Sequence, residues 1–123
     1  MRMDRERAAS AGPIVTGFSG TGFRVGDSVF PALIMTADDA RPWSPPALAD
    51  LAVADLQWLI DAKPEFILLG TGAGLTRPSP ALTRDLDAMR IGLEVMDSRA
   101  AARAWGVLRG EGRVIGAALY PLR

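Results

Sequence analysis

Gly70-Thr71-Gly72-Ala73-Gly74, with Arg77 shortly after, is the stretch best equipped to hold a ligand. Glycines let a backbone turn sharply and come close to a ligand, and successive loop amides can form a concave anion site. Arg77 would add a cation beside it. The candidate ligand-binding residues are therefore Gly70, Thr71, Gly72, Gly74 and Arg77, and the ligand class is a small anion, bound by a binding protein or an enzyme. A dinucleotide site is a poorer match. It needs G-x-G-x-x-G running directly into a helix, so that phosphate meets the helix N-terminus. Position 75 is Leu, and Pro78 and Pro80 bracket the first available helix cap, Ser79. The acid expected about 20 residues on has a nominal match in Glu94, but early in its strand rather than at the carboxyl end. A Walker A loop is absent, because no Gly-Lys-Ser/Thr follows the glycines.

Other chemistry is thinly represented. The chain has no Cys and no His, which excludes a Cys nucleophile, a His base, the usual zinc ligand sets and any disulfide. Asp38-Asp39 are adjacent in a loop, and Asp85 and Asp87 are two apart on a helix. Neither spacing makes two carboxyls converge, as paired acid–base work requires. Lys63 is the only lysine. It could form a Schiff base only if buried, yet it sits before Pro64 at a helix end, where a cation is solvated and suits the dipole. No catalytic residue, metal ligand or cofactor is assigned.

The elements that would position the glycine loop read clearly. Phe66–Leu69 is a short run apolar on both faces, as in a strand inside a sheet. Ser79 is a good N-cap with Pro80 at N1, and the helix Pro80–Arg90 places Leu82, Leu86 and Met89 on one face, with Gly92 as its left-handed C-terminal residue. Leu93–Met96 is the next strand. Residues 65–96 thus form a βαβ unit, expected to be parallel and right-handed. In open α/β sheets ligands bind outside the carboxyl ends of strands, where the glycines lie.

Upstream, Ile14–Thr16 and Phe23–Val25 flank a Gly/Ser/Thr turn as a hairpin, and Ser28–Met35 reads as one longer strand with an edge or bulge at Pro31. Thr36–Pro46 is a loop, with Trp43 either packed down as a plug, the favoured reading, or exposed for a partner. A helix follows within 47–62. Its Val53, Leu56, Leu59 and Ile60 form the core stripe, and Pro64 stops it. Trp58 points nearly opposite that stripe, joined by Leu51 at i−7. This second apolar face makes Leu51 and Trp58 candidate protein-interaction residues. Downstream, Asp97 or Ser98 caps a helix to about Arg109, with Ala101, Ala104, Trp105 and Leu108 inward and Arg99 and Arg103 in water. Gly110–Gly112 turns the chain into a last strand, Arg113–Leu119. The expected core includes Ile67, Leu69, Leu82, Leu86, Val95, Leu108, Val114 and Leu119.

With 123 residues, 49% hydrophobic and 23% charged, the chain suits one α/β domain over 13–123 behind a tail at 1–12: a central mixed sheet with about six strands and three helices. Net charge is zero, with 14 basic and 14 acidic residues, which speaks against nucleic acid or an anionic membrane as partner. No apolar run approaches the roughly 20 residues of a membrane span. Met1–Ser10 is charged and polar, unlike a signal peptide, so the cytoplasm is the expected location.

The assembled order has a further implication. Trp43, Pro64-Glu65, Leu69-Gly70-Thr71-Gly72, Pro80, Gly92, Glu94, Met96, Ala102, Glu111-Gly112-Arg113, Ala117-Ala118-Leu119 and Pro121 stand in an order and spacing that resembles a family of small α/β domains. That family includes the mitochondrial complex I assembly factor 3 and many uncharacterised bacterial and archaeal proteins. The resemblance spans roughly Ile14 to Leu122. It implies a mixed sheet with helices packed on it, an assembly or interaction role and no known enzymatic activity; with the second apolar face at Leu51 and Trp58, the expected partners are other proteins or a second copy of the chain. One departure is Trp105-Gly106, where the family usually carries an aromatic residue and Asn.

Overall fold

The structure, a computed structural model, describes residues 12–123. The expected tail therefore lies outside the described residues except for Gly12. Gly12 has φ of 101°, and a Cβ there would stand 2.1 Å from the Ala37 carbonyl oxygen, so only glycine fits.

Two sheets form. The first is a meander of β1 (Gly17–Ser19), β2 (Gly22–Val25) and β3 (Ser28–Phe30), antiparallel in the order β1-β2-β3. Gly20 and Gly26 open its two tight turns with φ of 60° and 59°. The second contains β4 (Leu33–Met35), β5 (Ala40–Pro42), β6 (Phe66–Gly70), β7 (Gly92–Met96) and β8 (Gly116–Leu119), in the order β5-β4-β8-β6-β7. Strand β4 is antiparallel to β5 and β8, whereas β6 is parallel to β7 and β8. The sheet is mixed, and the parallel pairing of β6 with β7 completes the βαβ unit read from residues 65–96.

Among the described residues, three α-helices accompany the sheets: α1 (Gln57–Asp61), α2 (Pro80–Ala88) and α3 (Ser98–Gly110). Two 3₁₀ turns, Leu48–Asp50 and Val53–Leu56, precede α1 and replace most of the single helix expected over 47–62. Ser79 caps α2 by accepting from the Ala81 amide, with Pro80 in its first turn, and Asp97 caps α3 by accepting from the Ala100 amide.

Alternation along the strands of the larger sheet builds a core on each face. Leu33, Met35, Leu68, Ala117 and Leu119 pack with Phe23 and with Ala101, Ala102 and Trp105 of α3. Ile34, Ile67, Leu69 and Ala118, their sequence neighbours, pack with Leu51, Leu56, Leu59, Leu82 and Leu86 on the opposite face. Trp105 is fully buried and its indole donates to the Pro13 carbonyl at 2.8 Å, which fastens the segment before β1 onto α3.

Several expectations are corrected. Ser28–Met35 is two strands in two sheets, because Pro31 cannot donate to a ladder and the chain turns there. The first hairpin strand is Gly17–Ser19 rather than Ile14–Thr16. Helix α2 ends at Ala88, and the left-handed residue after it is Arg90, with φ of 62°, while Gly92 opens β7. That early end leaves Met89 47% exposed. Val114 is also 47% exposed, because β8 begins only at Gly116, and Ile115 takes the buried place. Ile67, Leu69, Leu82, Leu86 and Leu119 are buried as expected, and Val95 and Leu108 are half-buried.

Candidate functional site

The glycine loop stands at the carboxyl end of β6, and its polar groups are engaged within the protein. The Thr71 amide donates to the Met96 carbonyl at the end of β7, and the Gly70 carbonyl accepts from the Tyr120 amide just past β8. The Gly72 amide donates to Ser98 Oγ at 2.8 Å, and that hydroxyl donates to the Tyr120 carbonyl at 2.7 Å. Thr71 Oγ1 donates to the Gly74 carbonyl and accepts from the Thr76 amide, closing the loop on itself. Ser98, fully buried, thus ties the start of α3 to the ends of β6 and β8.

The glycines answer to this brace. A Cβ on Gly70 would lie 2.7 Å from Ser98 Oγ, 2.8 Å from Ser98 Cα and 2.9 Å from Leu119 Cδ2. Gly72 has φ of 108° and packs beneath the Pro121 and Arg123 carbonyls. Gly74 meets nothing within 4 Å. Two of the loop's amides, those of Thr71 and Gly72, are therefore bonded into the fold, and its one hydroxyl is bonded within the loop. Arg77 is exposed. It lines a separate cleft of about 540 Å³ with Pro78, Pro80, Thr83, Arg84, Asp87 and Val95.

A second cleft, of about 480 Å³, lies at the same carboxyl edge of the sheet, and its position follows from register. Leu33 of β4 pairs with Pro42 of β5 on one side and with Leu119 of β8 on the other. The next residues, Trp43 and Tyr120, therefore flank Ala32. Their rings meet edge to face at 5.2 Å, and the Tyr120 hydroxyl donates to the Pro46 carbonyl at 2.8 Å. Prolines 31, 45 and 46 and Leu48 complete the apolar wall. Burial, and then the charges of Asp55 and Asp50, push the Tyr120 hydroxyl up to about 12. Trp43 is half-buried, a plug on one side and a cleft wall on the other. The sequence offered Trp43 but not Tyr120, because their meeting depends on a pairing between segments far apart in the chain.

Trp58 is half-buried against the core beneath α1, and the Arg41 guanidinium lies 4.3 Å above its ring. Leu51 does not share an exposed face with it. Leu51 is only 2% exposed and packs with Leu56 and Leu59, because the 3₁₀ turns change the angular relation that a continuous helix would have set. Lys63 is exposed, with φ of 55° at the end of α1.

At the opposite edge, the Arg113 guanidinium donates to both Glu65 carboxylate oxygens at 3.1 Å, while the Glu65 amide donates to the Val114 carbonyl. The pair joins the entrances of β6 and β8. The hydrogen bond from Arg113, and then its charge, hold the Glu65 carboxyl below its ordinary range. Arg109, buried near the end of α3, donates to the Arg113 carbonyl. Gly106 is exposed, with no neighbour outside its helix within 4 Å of an added Cβ, so a side chain there would project into solvent. Among the described residues, no group of three His, Cys, Asp or Glu could hold a metal ion. No helix among them is long and apolar enough to cross a membrane.

The fold and sequence have known relatives. A crystal structure of a Bordetella parapertussis protein superposes with a TM-score of 0.82 at 33% identity, covering 90% of this chain and 97% of that one. An uncharacterised protein of Rhodobacter capsulatus is 31% identical over 109 residues, 88% of this chain and 84% of its own length. The NADH dehydrogenase (ubiquinone) 1 alpha subcomplex assembly factor 3 of Danio rerio is 29% identical over 119 residues, 94% of this chain and 68% of its own length. The chain covers 65% of the Bos taurus counterpart, so it spans about two thirds of these animal relatives. The family described as "Protein of unknown function (DUF498/DUF598)" matches residues 15–120, nearly all of the described chain, and the chain belongs to that family.

Proposed function

We propose that this protein is a non-catalytic interaction domain that binds other proteins as an assembly factor does. The observation that carries the reading is the aromatic surface at the carboxyl edge of the larger sheet. Trp43 and Tyr120 stand edge to face over an open, proline-walled cleft. Arg41, two residues before Trp43, lies over Trp58. Trp, Tyr and Arg are the residues that most often dominate binding energy at protein interfaces, and half-buried rings are already held in place before a partner arrives. The animal relatives' name supports the same class of role.

The test is capture from native cell extract with wild type, Trp43→Ala and Trp58→Ala side by side, each first shown to be folded by circular dichroism. A partner retained by wild type and lost from either folded variant is the expected result. Identical captures from all three forms would overturn the reading. A competing role, binding of a small anionic ligand at residues 70–74 with Arg77, is tested by titrating inorganic phosphate and phosphate-bearing metabolites against backbone amide shifts. It requires shifts at Ala73 and Gly74, since the Thr71 and Gly72 amides are engaged inside the fold.

A further inference from the structure

The larger sheet has two unlike edges. Strand β5 has three residues, one of them Pro42, which has no amide proton, and Arg41 is drawn over Trp58. That edge is blunted. Strand β7 is longer, with five residues, and among the described residues pairs with β6 alone.

Two hydrogen bonds fix which of its backbone groups are open. The Gly92 amide donates to the Glu65 carbonyl, and the Thr71 amide donates to the Met96 carbonyl. In a parallel ladder alternate residues of a strand bond to the same neighbour. Gly92, Glu94 and Met96 therefore bond to β6, and the amides and carbonyls of Leu93 and Val95 face outward. Among the described residues no loop or side chain covers them with a hydrogen bond.

Beside this edge runs one face of α2. Pro80, Thr83, Arg84 and Asp87, at i, i+3, i+4 and i+7, line a cleft of about 540 Å³ whose wall includes Val95. Arg84 has a side chain 75% exposed, and its one ion pair, with Asp85, is a loose 4.0 Å contact. The face thus carries a cation and an anion one turn apart, next to an open strand. A two-fold axis at this edge sets such a pair against itself with the signs reversed.

We propose that β7 pairs antiparallel with β7 of a second copy, joining the two larger sheets into one and laying the two α2 helices side by side. Arg84 of each copy then faces Asp87 of the other. Glu94 selects the register. Centring the axis on Glu94 would set two carboxylates directly opposite, which is destabilising. Centring it on Val95 places Glu94 across from Met96 and lets the two apolar cleft floors meet. The contact is one short strand and one helix face, at the small end of specific interfaces, so association is weak and reversible. This inference deepens the protein-binding reading and is separable from it: a chain that captures partners through Trp43 or Trp58 while remaining a monomer would overturn the inference alone.

The experiment is sedimentation equilibrium of the full chain across a wide concentration range. The mass should rise from 13.1 kDa toward twice that value. Arg84→Asp leaves only acids at the two positions, and Asp87→Arg leaves only arginines. Each alone should weaken dimerisation about tenfold or more, since reciprocal attractions become repulsions. An equimolar mixture of the two variants should associate at least as well as wild type, a result that misfolding cannot mimic. Amide exchange at Val95, which pairs with itself across the axis, should slow as concentration rises. A mass of one chain throughout, with no association in the mixture, would overturn the proposal. So would a dimer in which the Val95 amide exchanges unchanged, or an edge occupied only by an extended segment of a different protein.

Discussion

Substituting Gly70 and Gly74 separately tests whether the glycine loop is a brace or a ligand cradle. At Gly70 an added methyl meets three atoms at 2.7, 2.8 and 2.9 Å, and one of them, Ser98 Cα, is backbone. Such contacts lie well inside van der Waals distance, so α3 or β8 must shift. Overpacking of this kind costs about 1–3 kcal/mol. For a chain of this length that lowers the melting temperature by roughly 4 °C per kcal/mol, or on the order of 4–12 °C. Gly74→Ala meets nothing within 4 Å and its φ is not left-handed, so its melt should match wild type within about 0.5 kcal/mol. Ser98→Ala leaves the Gly72 amide and the Tyr120 carbonyl without their partner and costs about 1–3 kcal/mol, but it also removes the atom nearest the new methyl. The double variant should therefore lose less than the two single losses combined. Urea melts read all four proteins. A Gly70→Ala loss under about 0.5 kcal/mol, or a Gly74→Ala loss greater than it, would refute the brace.

Leu86→Ala should cost about 2–5 kcal/mol in the same melts, because Leu86 is fully buried between α2 and the sheet. Tyr120 is the only tyrosine, so absorbance at 295 nm should titrate as a single group near pH 12, and Trp43→Ala should bring the midpoint down toward the ordinary value of about 10. Because the folded value is the higher one, this group's contribution to stability is complete below pH about 10 and is lost as pH rises through 12. Glu65 has the opposite sign: its folded value is depressed, so its contribution is present above the ordinary carboxylate range and fades as pH falls through the lowered one. Arg113→Ala should return the Glu65 carboxyl, followed by NMR, to the ordinary range, with a small change in stability that salt erases.

What could be read from the sequence was local. Ser79-Pro80 and Asp97 marked the starts of α2 and α3 because a cap is made between residues two or three apart. The run Phe66–Leu69 and its partner Leu93–Met96 were legible because a βαβ unit leaves few alternatives for handedness and pairing. Failures arose where geometry accumulates. A stripe of angles drawn through 47–62 assumes one regular helix. Two 3₁₀ turns break it, so Leu51 rotated into the core while Trp58 stayed at the boundary. Met89 fits the stripe of α2 on paper, but the helix has already ended.

The same distinction separates the glycine loop from the aromatic cleft. A glycine-rich loop after a strand is a feature of contiguous residues, and its most familiar use is to admit a ligand. Here the close neighbour that requires glycine at position 70 is Ser98, 28 positions along the chain, whose hydroxyl holds Gly72 and Tyr120 at once. The Trp43–Tyr120 pair is likewise made by register: both follow residues that pair with Leu33, one from each side. Neither relation leaves a trace in local composition. At the carboxyl edge of the sheet, strand ends leave backbone groups and side chains free to gather. What gathers there is a polar brace under the glycines and an aromatic wall beside them. The wall sets two half-buried rings at the mouth of an open cleft, and it is there that the partner proposed above would seat.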